Sequence, residues 1–525
     1  INPLFQKLVL IMNSSRLKFL SCLLFLLNII SHSVFGASST IILNIEAGSD
    51  ASLLLLPIPD QAISINSYID VRHNNHTITA EYFTVALWPS VDSSSFVRTL
   101  LIDSAKLKNF SGKLTFHWSN KSTNTSKTKL RKLSKALRED LRFKLRNTLL
   151  VYPTKNWLRH SILQHPMRQH YATDWYVLPQ QKYAHFITDT EALRSKGYPP
   201  NKAGQWLYDR PQSIYQLFVM TEDQYWLNKA DILTDFYKNH IDDNGQFDLI
   251  KRFDPKYLMP RGLALQFLLK ADYSALEALK KIFNYSLEWD EKYVLSRGFW
   301  TERNQSTALN TAVSYWELTG DKAALKRIND IIDATVEMTF NPVNDWPLRG
   351  CPQHSFKAHE GWGDNSPACS PWMMALLGDS LWRYYRLTGD ERAEALIDAF
   401  GDFILNHGLY YGNKRMKNIV IPKYIVSIEN PKQEELNQWT DPQHACDVAA
   451  LLGKSVYVKQ IKRRDDFLIK ELFSSLIEQC KQPYRKLKAE KKLTKYWTLK
   501  PARRFAWMYS STSDLPWLVD KLLKK

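Results

Sequence analysis

The sequence has few cysteines and few long apolar runs, and each scarcity excludes a class of protein. Five cysteines in 525 residues do not make a small disulfide-built scaffold. A hydrophobic content of 44% excludes a disordered tail and a collagen-like fibre. One apolar run lies near the N-terminus and the mean hydropathy is −0.35, which excludes a polytopic membrane protein. What remains is a large globular chain, with roughly two to four domains expected from its length.

The familiar signatures of catalysis and metal binding are missing too. The sequence contains no C-x-x-C pair, no G-x-S-x-G, no Walker motif and no dinucleotide fingerprint. It also lacks a recognised nucleic-acid reader motif. We therefore expect no metal, no cofactor and no nucleic-acid partner, while the oligomeric state stays open.

Positive charge is concentrated in two stretches of the sequence. Residues 121–146 carry ten Lys or Arg against two acids, and residues 481–525 carry thirteen against three, within a formal net charge of +17. We interpret both as basic helices on a solvated or membrane-facing surface. Net charge alone does not predict a basic groove for the substrate.

Residues 1–36 are predicted to be an upstream extension followed by a signal peptide. Arg16 and Lys18 precede an apolar run over residues 19–30. That run is shorter than the ~20 residues of a spanning helix, and small residues follow it, so we place cleavage near Ala37. The mature chain is expected to be secreted or periplasmic, without an integral membrane span.

Four cysteines remain after the leader, at Cys351, Cys369, Cys446 and Cys480. An even number in an exported chain permits disulfides, and four cysteines allow three pairings. Cys351 and Cys369 bracket one loop and are the favoured pair. Four reduced, buried thiols are the alternative.

The pattern of hydrophobic residues changes at about residue 200. Residues 37–120 show short β-branched or alternating runs separated by turn residues, which predict a small antiparallel β domain. Residues 121–200 are expected to link the β domain to the helical region and to include a basic helix at about 128–148. From residue 201 onward the period is helical, and hairpin stops recur at Asp223, Asp272, Asp321 and Asp390, with a looser stop at Gly453.

The predicted fold class is α+β multidomain, with the β domain followed by an (α/α) toroid of five to six helical hairpins over residues 201–525. An open solenoid fits the same period. The recognised solenoid consensus patterns are missing, however, and aromatic motifs cluster before the first helix of each hairpin. This clustering favours a toroid whose loops converge on one mouth.

Three residue clusters are candidates for chemistry. In the first, Trp206 is a predicted sugar platform, Tyr208 a proton carrier and Arg210 an anion clamp. The alternative is a structural ion pair between Asp209 and Arg210 at a helix start.

The second cluster runs from Glu302 through Arg303 and Asn310 to Tyr315. Arg303, Ser306 and Asn310 are spaced to share one helix face. Such a buried polar stripe needs partners, because each unpaired polar group costs about 1–3 kcal/mol. It is either a ligand site or an internal hydrogen-bond network.

The third cluster contains His359, Glu360, Trp362 and Asp364. The glycines on either side of Trp362 let the backbone approach a ligand closely. His354 and His359 lack the i, i+4 spacing of a helical metal site. For three smaller motifs (residues 407–411, 439–444 and 503–507) a structural role is favoured.

The hairpin motifs Tyr-Trp-Glu-Leu-Thr-Gly-Asp at 315–321 and Tyr-Arg-Leu-Thr-Gly-Asp at 385–390 resemble those of six-hairpin α/α-toroid glycan-active enzymes. Within that group, residues 97–103 and 208–210 are similar to exo-acting rhamnogalacturonan lyase-like proteins. The resemblance implies a polysaccharide or oligosaccharide substrate. It does not choose a reaction, because the group contains lyases and hydrolases.

Three functions therefore stay open, with a lyase slightly favoured. In a lyase, Tyr208 or His359 removes a proton next to a uronate, Arg210 or Arg303 binds the carboxylate, and Asn310 holds the enolate. A hydrolase needs two carboxylates, drawn from Glu302, Glu360, Asp364 and Asp441. The third possibility is a glycan-binding protein without catalysis.

Overall fold

A computed structural model describes residues 38–46, 51–91, 95–120, 128–145, 147–164, 174–188, 203–250, 254–291, 300–342, 349–360, 365–411, 420–427, 444–489 and 502–523. Two packed β-sheets come first, and a ring of helices follows. Predictions that fall on Trp362, Asp364 or Asp441 lie outside the described residues, and so does the leader.

Two sheets form the N-terminal unit. The first contains, in spatial order, β1 (Ser38–Ile45), β7 (Gly112–Ser119), β3 (Tyr68–His73) and β4 (His76–Thr77), with β8 (Thr128–Lys129) against β3. The second contains β10 (Leu149–Leu150), β2 (Leu53–Pro57), β6 (Val97–Asp103), β5 (Glu81–Leu87) and β9 (Arg131–Lys132). Their apolar faces enclose one core.

The linking segment differs from its prediction. The basic helix expected at about 128–148 is instead β8, β9 and two short helices, α1 (Lys135–Asp140) and α2 (Arg142–Leu145). β9 and β10 extend the second sheet in parallel to their neighbours. Pairing with strands that are distant in sequence overrides the helix propensity of this segment. The two sheets therefore include strands from beyond residue 120. Strand β3 was not predicted.

Buried helices line the inside of the helical ring, and amphipathic helices cover the outside. The inner helices are α5 (Arg210–Thr221), α7 (Arg261–Lys270), α9 (Glu302–Thr319), α12 (Pro371–Thr388), α14 (His444–Ile461) and α16 (Ala502–Ser510). The outer helices are α6 (Gln224–Asn239), α8 (Tyr273–Ser286), α10 (Lys322–Phe340), α13 (Glu391–His407), α15 (Phe467–Ala489) and α4 (Asp174–Thr188).

Burial distinguishes the two layers. In α5 every residue from Arg210 to Met220 is buried, whereas α6 buries only a stripe that includes Trp226, Leu233 and Tyr237. Each inner helix packs against the next one described, and α16 packs against α5, so the row closes on itself. The remaining helices are α3 (Lys155–Ile162), α11 (Phe356–Glu360) and α17 (Leu515–Leu522).

The predicted hairpin turns lie where the sequence placed them. Helices α5, α7, α9 and α12 each end in a residue with left-handed backbone, and the next outer helix is capped by the predicted aspartate. Gly320 has φ of 66° and Asp321 accepts the Ala324 amide at 3.0 Å. These stops are local in origin, because glycine tolerates φ > 0 and aspartate satisfies a free helix N–H.

The prediction of a hairpin stop at Gly453 was wrong. Gly453 lies inside α14, and the chain turns instead at Arg463, which has φ of 55°. A Cβ at Gly453 would lie 3.0 Å from the ring of Phe473 in α15. The glycine therefore permits close helix packing and does not end a helix.

Five short strands complete the structure: β11 (His354–Ser355), β12 (Pro367–Cys369), β13 (Leu409–Tyr410), β14 (Ile421–Pro422) and β15 (Val426–Ser427). Two disulfides are formed, Cys351–Cys369 as favoured by the sequence and Cys446–Cys480. The second joins α14 to α15. Within the described residues, none of the helices combines the length and apolar character needed to cross a bilayer.

Candidate active site

The N-terminal ends of the inner helices bring a group of aromatic and basic side chains together. Tyr208 immediately precedes α5, Arg303 is the second residue of α9, Trp372 is the second of α12, and His444 is the first of α14. Trp507 of α16 completes the group. We call these five residues the mouth cluster.

Within the mouth cluster, Arg303 is bonded to a hydroxyl and not to an acid. Its Nη1 donates to Tyr208 Oη at 3.1 Å, and its guanidinium lies 5.7 Å from the centroid of the Trp372 ring. Among the described residues, no carboxylate lies in ion-pair contact with Arg303; Asp254 acts on it only through longer-range charge. The cation is therefore not neutralised by an acid in direct contact.

Tyr208 is held in an uncommon backbone conformation. Its φ is 67°, and that of the next residue, Asp209, is 52°. Left-handed backbone at residues other than glycine costs on the order of 1–3 kcal/mol each and is found where the surroundings enforce it, often at functional sites. The strain directs attention to Tyr208.

His444 packs against two tryptophan rings that also contact each other, with 6.2 Å between their centroids. Its ring centroid is 4.8 Å from that of Trp372 and 4.7 Å from that of Trp507, both nearly parallel. Nδ1 of His444 lies 2.9 Å from Asp447 Oδ2 one helical turn later. Burial raises the pKa of the Asp447 carboxyl, while the charge and hydrogen bond of His444 oppose that rise.

The contact with Asp447 fixes the orientation of the imidazole. With Nδ1 engaged, Nε2 is the nitrogen left to exchange a proton with a ligand. Trp372 and Trp507 also pack edge-on against Tyr208, at 6.2 and 6.0 Å between centroids. Hence Tyr208 and His444 lie against the same pair of indole rings.

Helix orientation adds to the positive potential of the mouth. Residues of the cluster lie at or within two residues of the N-termini of α5, α9, α12 and α14. A helix N-terminus carries roughly half a positive charge. The arrangement therefore favours an anionic ligand and an anionic intermediate.

Trp206 and Arg210 were predicted to contact ligand, and the structure buries both against protein side chains. Trp206 is 1% exposed and stacks in parallel on Phe236 of α6 at 4.8 Å. Arg210 is fully buried, and its guanidinium lies 4.1 Å from the Trp206 ring centroid. Arg210 packs on Trp206 and forms no ion pair with Asp209. Trp372 and His444 of the mouth cluster are buried to a similar degree, at 3% and 2% exposed, so the predicted roles of Trp206 and Arg210 stay predictions.

Glu302 lies beside the mouth but is already bonded. Its Oε1 accepts the Ser370 amide at 2.7 Å, and its Oε2 lies 3.1 Å from His354 Nδ1. These bonds join α9 to the strands before α12. In this arrangement Glu302 supports the mouth and does not face into it.

Asn310 and Tyr315 lie farther along α9, at about 10 and 18 Å from Arg303 by helical rise. Asn310 accepts a hydrogen bond from Arg383 of α12, and Tyr315 stacks on Phe283 of α8 at 4.7 Å. Ser306 bonds to α12 as well. The polar stripe is thus an internal hydrogen-bond network below the mouth, which corrects the roles expected for Asn310 and Tyr315.

The third cluster is only partly described. His359 and Glu360 belong to α11, but the positions of their side chains are outside the described residues, as are Trp362 and Asp364 entirely. Their predicted roles stay predictions. Over the described ranges, the structure shows no group of three or more His, Cys, Asp or Glu side chains arranged to hold a metal ion.

Sequence reasoning gave too little weight to three members of the mouth cluster. His444 and Trp507 belong to the smaller motifs for which a structural role was favoured, and Trp372 was not a named candidate. The usable signal was position, because Trp372 and His444 open inner helices just as Tyr208 and Arg303 do. Their proximity depends on ring closure, which no local pattern encodes.

Comparisons with known proteins give distant structural likenesses alone. No protein-family profile matches the sequence, and no curated protein matches it. An unsaturated glucuronyl hydrolase specific for heparin is similar with a TM-score of 0.43 and 11% identity, over 67% of this chain and 98% of that one. A family 88 glycosyl hydrolase from Bacteroides vulgatus is similar with a TM-score of 0.40 and 9% identity, over 65% and 99%.

An unsaturated glucuronyl hydrolase from Streptococcus agalactiae is similar with a TM-score of 0.42 and 11% identity, over 68% of this chain and 94% of that one. All three of these proteins are hydrolases by name. With TM-scores below 0.5, the likeness does not bear on the reaction. The reaction is argued from the mouth cluster itself.

Proposed function

We propose that the protein is a polysaccharide lyase that cleaves a uronate-containing glycan by β-elimination. The observation that carries the proposal is the bond from Arg303 to Tyr208 in a mouth where, among the described residues, no carboxylate contacts Arg303. A uronate carboxylate is a planar anion that a guanidinium binds in two-point contact. The tyrosine hydroxyl then lies next to the acidic sugar.

The residues supply both proton carriers that the elimination needs. His444, oriented by Asp447, takes the proton from the carbon next to the carboxylate. The electrons of that C–H bond form the C4–C5 double bond as the bond to the glycosidic oxygen breaks. Tyr208 accepts from Arg303, so its own hydroxyl proton is left to donate to the departing oxygen.

Charge stabilisation is the other part of the mechanism. Removing the proton places a second negative charge on the carboxylate oxygens. Arg303 and the neighbouring helix N-termini stabilise that charge, and Trp372 and Trp507, which are 3% and 5% exposed, border the same mouth. Donors of this kind are worth about 2.7–4 kcal/mol of barrier each in acyl-transfer enzymes.

Other parts of the proposal rest on residues without described side chains. His359 is the alternative base, Trp362 a sugar platform, and Glu360 and Asp364 further contacts of the same mouth. We also propose six hairpins, with α4 as the outer partner of α16, because α4 packs against both α16 and α5. Export after cleavage near Ala37 completes the proposal.

A glycoside hydrolase is the second candidate. Glu302 borders the mouth, and Glu360, Asp364 and Asp441 supply further carboxylates for an acid–base pair. The similar solved structures are themselves hydrolases. Against it stands the position of Glu302, whose Oε1 accepts the Ser370 amide and whose Oε2 lies 3.1 Å from His354 Nδ1.

One experiment separates the candidates. Purified protein is incubated with acidic and neutral polysaccharides and followed by ultraviolet absorbance of unsaturated uronates and by release of reducing ends. The lyase gives both signals on acidic glycans, and His444→Gln and Tyr208→Phe each lower their rates by about 10²–10⁴. Reducing ends without new absorbance identify a hydrolase, and binding without either signal refutes both.

A further inference from the structure

The turn before α5 contains a buried carboxylate that joins two inner helices. Asp209 is 3% exposed, and its Oδ1 accepts the Gln212 amide of α5 at 3.0 Å. Its Oδ2 accepts the Gly262 amide of α7 at 2.9 Å. One side chain thus satisfies a free N–H at the start of each helix.

A glycine at the junction makes this approach possible. A Cβ on Gly262 would lie 2.6 Å from Pro211 Cβ and 2.8 Å from Asp209 Oδ1. Both distances are shorter than van der Waals contact. Any larger residue at position 262 would therefore push α7 away from the start of α5.

The bridge directly follows the strained tyrosine. Tyr208 and Asp209 both have left-handed backbone, with φ of 67° and 52°. A tyrosine keeps such a conformation only where its neighbours enforce it. The two bonds of Asp209 fix the chain one residue beyond Tyr208, and Tyr208 Oη lies 3.1 Å from Arg303 Nη1.

We propose that Asp209 is a positioning residue: by tying the start of α5 to the start of α7 it fixes the Tyr208 hydroxyl against Arg303. This inference rests on the proposed function for its effect on rate. The geometric part does not, because the Tyr208 ring packs against Trp372 and Trp507 whether or not a reaction follows.

The hairpin turns provide a matched control. Asp321 also caps a helix, accepting the Ala324 amide at 3.0 Å, but it bonds to one helix only and lies at the opposite end of α9 from Arg303. Asp321→Asn removes the same charge from a similar cap. It leaves the mouth untouched.

Two variants break the bridge in different ways. Asp209→Asn places an amide nitrogen where one of the two backbone N–H groups needs an acceptor. Gly262→Ala keeps the carboxylate and separates the helices. Near-ultraviolet circular dichroism reports the packing of Tyr208 on the two indoles, and steady-state kinetics on the active glycan separates kcat from KM.

We expect both bridge variants to change the near-ultraviolet spectrum and to lower kcat at least tenfold with KM within twofold, while Asp321→Asn does neither. In a Tyr208→Phe background, Asp209→Asn should lower kcat no further, because the hydroxyl it positions is gone. An additional full loss in that background, or equal behaviour of Asp209→Asn and Asp321→Asn, overturns the inference. A wild type that is inactive on every glycan refutes the proposed function, and the spectra alone then decide the positioning role.

Discussion

The two ends of α9 show arginines in opposite situations. Near its start, Arg303 bonds to the hydroxyl of Tyr208. Near its end, Glu317 is surrounded by Arg98 of β6, Arg261 of α7 and Arg383 of α12. In the part of the chain that the structure describes, the second region contains a carboxylate in contact with its arginines and the first does not.

The difference indicates which arginine is held for a ligand. A buried cation is stable in a fold when acids and hydrogen bonds compensate it, as Glu317 does for three arginines. Arg98 comes from the second sheet, so this cluster also fastens the β domain to the helical ring. Arg303 has no such acid among the described side chains, and in the proposed enzyme the substrate supplies it.

Removing the carboxylate of Glu317 is expected to have the largest effect on the free energy of unfolding. Glu317→Gln leaves three buried guanidinium groups without a counter-charge, and breaking a buried pair in this way costs about 3–5 kcal/mol. Denaturant unfolding followed by circular dichroism measures the loss. Glu391→Gln, at a carboxylate that is 88% exposed, is the matched control and should change stability little.

Activity per folded molecule should survive Glu317→Gln at a temperature where the variant remains folded. A loss of rate without a loss of stability would place Glu317 in the chemistry and remove the distinction between the two ends of α9.

Removing the guanidinium of Arg303 should lower the rate and leave the stability nearly unchanged, which is the reverse of the result expected for Glu317→Gln. Arg303→Met is expected to lower kcat by about 10²–10³, since one donor to the developing charge is lost. Stability should change by no more than about 1 kcal/mol, because the partner left behind is a hydroxyl. Steady-state kinetics and denaturant unfolding of the same preparation provide both values.

Arg303→Lys retains the charge but not the planar fork, and its rate should fall between those of wild type and Arg303→Met. If Arg303→Met instead destabilises the protein as much as Glu317→Gln does, the arginine is structural and the comparison fails.

The pH dependence of the mouth should follow Asp209. Burial raises the pKa of its carboxyl to about 7, against the hydrogen bonds from Gln212, Gly262 and Arg261 amides and the charge of Arg261. Arg383 and Tyr237 also interact with it through charge. Below that pH the protonated oxygen no longer accepts an N–H, so kcat should fall as pH decreases through about 7.

Stability should respond in the other direction. The folded-state pKa lies above the ordinary value of 3.8, so the folded protein binds the proton more tightly than the unfolded chain does. The contribution of Asp209 to the free energy of unfolding therefore decreases as pH rises from about 4 to 7. Asp209→Asn should lack the stability trend and should change the acid limb of kcat, which then reflects protonation of the base alone. An unchanged acid limb in that variant would assign the titration to another group.

The sequence predicted features that depend on neighbouring residues in the chain. Each of the turns at Gly320 and Gly389 follows from a glycine with left-handed backbone and the helix-capping aspartate that comes next in the chain. Burial was harder, because the ring of Trp206 is covered by Phe236, thirty residues later and on another helix. Motif composition cannot distinguish such a tryptophan from an exposed sugar platform.

The sequence predicted the types of residue in the mouth cluster but only some of its members. Tyr208 and Arg303 were both proposed, from different motifs, and the structure bonds them to each other. His444 joins them through Trp372 and Trp507 because the helical row closes between α16 and α5. That closure sums contacts over several hundred residues of chain, which periodicity alone does not encode.

The central claim is that Arg303 is held for the carboxylate of a uronate. It is tested most directly by comparing wild type and Arg303→Met on an active acidic glycan and on the same glycan with its carboxylates reduced to alcohols. Binding is the quantity to measure, because the reduced glycan has no acidic proton to eliminate. The account predicts that wild type binds the acidic form at least tenfold more tightly and that Arg303→Met binds both forms alike; the same preference in both proteins would contradict it.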